Sequence, residues 1–86
     1  MNDEDAIATL KNLGPKSADW LRESGVETVG ALRRLGPAVA YLLVKERRPR
    51  ASLNLLWALA AGLEGRDWRE LSGAAKSRLR REVDAT

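Results

Sequence analysis

The sequence predicts an all-α fold: a compact bundle of five or six short helices containing a helix-hairpin-helix element. Three observations lead there. Hydrophobic residues fill 44% of the chain, with Leu and Ala dominant, Phe absent and β-branched residues few, a bias toward helix over sheet. Glycine and proline recur at short intervals, which divides the chain into several short helices instead of one long rod. At 86 residues the chain holds one small core and not two, so 1–86 is read as a single domain.

A first helix is expected over Asp5 to Lys11, with Ile7 and Leu10 on one face and acidic residues at its positive end. Gly14-Pro15 suits the start of a second, because proline at the first helical position gives up an N–H that has no intrahelical partner. That helix runs to about Ser24, and Gly25 fits the left-handed position past its end. Thr28 caps the third helix, which turns Val29 and Leu32 inward before Gly36 stops it. Pro37 begins the fourth, with an apolar stripe of Val39, Leu42 and Leu43, and Pro49 ends it beyond the basic run. Ser52 caps "LNLLWALAAGL", apolar on nearly every side and therefore the core helix, which Gly65 ends. Trp68 anchors the following turn, and from Ser72 a last helix faces Ala75, Leu79 and Val83 inward, with a strongly basic outer face.

Cysteine and histidine are both absent, which removes disulfides, thiol nucleophiles, imidazole bases and the usual zinc ligands. No base, metal cluster or phosphate-transfer loop accompanies the carboxylates and serines, so a non-enzymatic protein without cofactor, metal or small-molecule substrate is expected. The longest apolar stretch, Leu53 to Leu63, is too short for a bilayer, and "MNDEDA" is unlike a signal peptide, which points to a cytoplasmic protein without membrane contact.

The net charge of +3 is unevenly placed. Up to Leu32, Asp3, Glu4, Asp5, Asp19, Glu23 and Glu27 outweigh Lys11, Lys16 and Arg22. Beyond it, basic residues gather at Arg33-Arg34, in "KERRPR" and in "KSRLRR". Each cluster reads either as a polyanion-attracting surface or as an ordinary solvated helix face. Trp20, Trp57 and Trp68 fall at helical spacing within or beside apolar runs and read as packing anchors, Trp20 being closest to the hairpin.

Asn12-Leu13-Gly14 has the make-up of a tight hairpin, with asparagine, the non-glycine residue that best tolerates positive φ, in the first glycine position. Leu13 would point to the core and turn the amides of Gly14, Lys16 and Ser17 outward, where a helix start favours a phosphate oxygen. Asp19 and Glu23, just behind, would weaken that attraction if they faced the ligand.

From Leu10 to Leu35 the chain resembles a helix-hairpin-helix motif. "NLGPKS" is similar to the stretch that lies against DNA backbone in the C-terminal domain of the bacterial RNA polymerase alpha subunit. That resemblance implies phosphate contacts at Asn12, Gly14, Lys16 and Ser17, with Lys11 beside them; the groove-reading arginine of that polymerase domain has no counterpart. Over most of the chain, "NLGPKSADWLRESGVETVGALRRLGPAVAY" followed by "SLNLLWALAAGLEGRDWREL" resembles the C-terminal domain of TfoX/Sxy-type competence regulators. The family resemblance implies a bacterial domain in the control of natural-transformation genes, in a family whose members often carry an N-terminal domain ahead of this one.

The expected function is therefore a module that holds double-stranded DNA backbone with little sequence preference, with Arg47, Arg48, Arg50, Arg78 and Arg81 as accessory basic contacts. The alternative is a protein-interaction module in transcription or competence control, meeting an acidic transcription-related partner or a separate TfoX N-terminal-like domain.

Overall fold

A computed structural model describes residues 2–86; among them are five α-helices and no strand. The helices are α1 (Pro15–Glu23), α2 (Val29–Leu35), α3 (Pro37–Arg47), α4 (Leu53–Leu63) and α5 (Gly73–Ala85), with 3-10 turns at Ile7–Thr9 and Trp68–Glu70. The class is all-α, and among the described residues no helix is long and apolar enough to cross a membrane.

The punctuation falls where the sequence places it. Pro15 and Pro37 open α1 and α3, and Gly25 at φ 89° turns the chain after α1. Gly36, at φ 84° and ψ 156°, ends α2 and precedes α3; this region of backbone space is essentially reserved for glycine. Thr28 and Ser72 accept hydrogen bonds from the Ala31 and Ala75 amides. Ser52 occupies the N-cap of α4, but its hydroxyl takes no capping bond, which corrects that detail of the expectation.

α4 is the central helix: Leu55, Leu56, Trp57, Ala58, Leu59, Ala61 and Gly62 are all buried. Around it close Ile7, Leu10, Leu21, Val26, Val29, Leu32 and Val44, each 2% exposed or less. The stripe expected on α3 is corrected. Its buried residues are Ala38, Ala40, Tyr41 and Val44, while Val39, Leu42 and Leu43 are only half-buried. α3 packs against α1, α2, α4 and α5, so its burial is spread around the helix.

The helix expected over Asp5–Lys11 is not formed, so the hairpin is preceded by one 3-10 turn instead of a helix. Its backbone is committed elsewhere. Ile7 N–H donates to the Glu27 carbonyl at 2.9 Å, Ala6 bridges Thr28, and the carbonyls of Asp5 and Asp3 accept from Val29 and Gly30 at 3.0 and 2.8 Å. The N-terminal segment thus straps the α1–α2 turn, and its carbonyls satisfy the first amides of α2, donors that a helix start leaves without intrahelical partners.

Candidate nucleic-acid interface

Asn12 makes the hairpin. It is the one non-glycine among the described residues with positive φ, 79°, and its side chain fastens the turn to a distant part of the chain. Nδ2 donates to the Arg66 carbonyl at 2.8 Å, with a longer 3.5 Å approach to the Ala58 carbonyl, and Oδ1 accepts from the Trp68 amide at 3.2 Å. Leu10 and Lys11 sit on Gly62 of α4, where an added Cβ would lie 2.6 Å from the Lys11 carbonyl oxygen and 2.8 Å from Leu10 Cγ. Leu13 packs against the core.

Beyond this anchored turn, α1 begins without a side-chain cap, and the amides of Gly14, Lys16 and Ser17 meet no acceptor among the described residues. α2 differs, because the strap and Thr28 occupy its first amides. Gly14 is exposed at φ −88°, with nothing within 4 Å of where a Cβ would stand. α4 also begins without a side-chain cap, and its first turn faces the same space as α1. That space is a groove of about 380 Å³ lined by Asn12, Ser17, Trp20, Arg50, Ser52, Asn54, Leu55, Ala58 and Trp68. No carboxylate is among its lining residues. α3 likewise starts uncapped, but Pro37 borders a different groove.

The acidic residues of α1 are held by partners. Asp19 pairs with Arg22, and both carboxylate oxygens of Glu23 accept from Arg48 at 2.9 to 3.3 Å. Trp20 is half-buried, with the Lys16 ammonium 5.4 Å and the Arg48 guanidinium 5.9 Å from its ring centre, within cation–π range. Next to the groove residue Trp68, hydrogen bonds from Arg69 pull the Asp67 carboxyl down to about 2, with a small further contribution from Lys11. Asp67 is therefore ionised at neutral pH and bound to Arg69.

The family model described as "TfoX C-terminal domain" matches residues 3–83. This chain belongs to the TfoX C-terminal domain family. The TfoX_C fold recurs in two crystal structures from Listeria monocytogenes, one of an uncharacterized protein in a triclinic form and one of a protein of unknown function in a tetragonal form. Both are 25% identical with a TM-score of 0.83; the first match covers 93% of this chain and 91% of that one, the second 92% and 98%. No curated protein matches the chain.

Within this TfoX_C domain the candidate residues separate. Ser17 and Arg50 line one groove, and Lys16 stands beside it over Trp20. Asn12 lines it as well, but its amide group is committed to Arg66 and Trp68, which makes it the fastener of the hairpin. Lys11 is exposed on the side of Asp67. Arg47 and Arg48 stand by Glu23, outside the groove. Arg78 lines another groove with Glu64, Glu70 and Glu82, and Arg81 is exposed on α5. Sequence reasoning missed Ser52 and Asn54 as groove residues; their signal was the polar pair at the start of an otherwise apolar helix.

Proposed function

We propose that this TfoX_C domain is a non-enzymatic module of a TfoX/Sxy-like competence regulator that holds the sugar-phosphate backbone of duplex DNA at the start of α1. The observation that carries this reading is a groove without a carboxylate, lined by Ser17 and Arg50, beside an α1 start whose Gly14, Lys16 and Ser17 amides meet no acceptor among the described residues and whose Lys16 lies over the groove residue Trp20. Helix N-termini favour phosphate because their free N–H groups and the helix dipole both point at the anion. Such contacts fix position on the duplex and carry little sequence information.

The test is an amide-resolved NMR titration with a generic duplex at low and near-physiological salt. The Gly14, Lys16 and Ser17 amides should shift together and less at higher salt, and Lys16→Glu should weaken binding at least about tenfold. Gly14→Ala sharpens the test: the methyl has free space, yet it would stand where a phosphate must approach the amides. It should keep the fold, at a cost below about 1 kcal/mol, and lose DNA. Shifts confined to scattered arginines would remove the reading.

A second reading is favoured by the groove of about 400 Å³ between α4 and α5, where Pro37, Leu63, Leu71 and Leu79 are rimmed by Arg66, Arg78, Glu64 and Glu82. Apolar lining with charges of both signs suits a peptide better than a polyanion. Under that reading the domain binds a protein partner, and Lys16→Glu leaves that binding intact.

A further inference from the structure

The cationic surface continues past Arg50. Ser52 and Asn54 line the hairpin groove, while Leu53, between them, lines a neighbouring depression of about 180 Å³ with Tyr41, Leu42, Lys45, Arg80, Val83 and Asp84. Residues of the first turn of α4 therefore line both depressions. Trp57, one turn further along α4, carries the Lys76 ammonium 5.7 Å from its ring centre. Lys76 and Arg80 are four residues apart on α5 and share one face.

α5 thus presents its basic residues on different sides. Arg80 lines the depression that Leu53 of the α4 first turn also lines, and Lys76 lies over Trp57 one turn further along, whereas Arg78 lies in the groove that also holds Glu64, Glu70 and Glu82. Lys45 donates to the Ala51 carbonyl at 2.8 Å, so one of its hydrogen-bonding positions is used internally. Asp84 is the one carboxylate lining the Arg80 depression.

We infer that α5 carries the second half of the backbone-binding surface: duplex nucleic acid seated at the hairpin crosses the first turn of α4 and meets Lys76 and Arg80, while Arg78 and Arg81 take no part. The inference rests on the proposed DNA reading and extends it by naming the path of the polyanion. The domain is 29 Å in its longest dimension. A duplex of about 12 base pairs, about 41 Å long, therefore spans the whole surface.

The salt dependence of binding by the intact chain, measured by fluorescence anisotropy with such a duplex, tests this. Each phosphate neutralised contributes about 0.9 to the slope of log K against log salt. Lys76→Gln/Arg80→Gln should flatten that slope by about 1.8. Arg78→Gln/Arg81→Gln removes the same charge and should leave the slope unchanged; helical circular dichroism and Tm confirm that both pairs fold. Equal flattening by the two pairs would overturn the inference, since only net charge would then count. If Lys16→Glu weakens binding and the Lys76/Arg80 pair does nothing, the hairpin reading stands and the α5 path falls. If the pair flattens the slope and Lys16→Glu does nothing, the α5 surface stands and the hairpin falls. No binding by the parent chain at low salt would remove both.

Discussion

Asn12 bends the chain and ties it down with the same residue. Its positive φ was legible, because asparagine in a hairpin ahead of Gly-Pro has few other reasons to be there. Its partners were not, since Ala58, Arg66 and Trp68 lie 46 to 56 residues further along, and no local pattern encodes a bond across that distance. Asn12→Ala should therefore cost about 1–3 kcal/mol, by leaving the part-buried Trp68 amide without an acceptor and by forcing alanine into the left-handed region. Urea unfolding measures it. Asn12→Gly accepts the backbone angle yet still loses the side-chain bonds, so it should remain less stable than the parent; full stability in that variant would mean the tie contributes nothing.

At the level of elements, caps and breakers were readable because each acts within a few residues: Pro15, Gly25, Thr28, Gly36, Gly65 and Ser72 all do what their chemistry dictates. Ser52 is the exception, an N-cap whose hydroxyl takes no capping bond, and the misread first helix and α3 stripe share a cause. Ile7 and Leu10 are both buried, but a spacing of three suits a single 3-10 turn as well as a helix, and the strap to Glu27, Val29 and Gly30 decided between them. On α3 a single stripe was expected where four neighbouring helices divide the burial. The close seat of the hairpin on Gly62 belongs to this scale. Gly62→Ala adds helix propensity, about 1 kcal/mol, but drives a methyl into the Lys11 carbonyl and Leu10, at about 1–3 kcal/mol. Thermal unfolding should show a net loss of stability, with the amide shifts of residues 10–14 displaced. A higher Tm would show that the hairpin does not rest on α4 as closely as described.

Across the whole molecule the clusters visible in the sequence are taken apart. "KERRPR" sends Lys45 to the Ala51 carbonyl, Arg48 to Glu23 with Arg47 lining the same depression, and only Arg50 to the hairpin groove. Arg33 is drawn to Asp3. Consecutive residues of a helix point about 100° apart, so a basic run in the chain does not make a basic face, and the site was legible only as far as the hairpin itself. The strap bears on how that hairpin behaves in time. Bonds from residues 6 and 7 to residues 27 and 28 hold it upstream, and the Asn12 amide holds its apex, yet the amides of Gly14, Lys16 and Ser17 stay without protein acceptors. Such amides should trade hydrogen for deuterium at nearly the free-peptide rate while their relaxation order parameters stay near the rigid value of about 0.85. A floppy loop exchanges quickly because it moves; here rapid exchange would come from a backbone that stands still, so an arriving anion has little ordering left to impose.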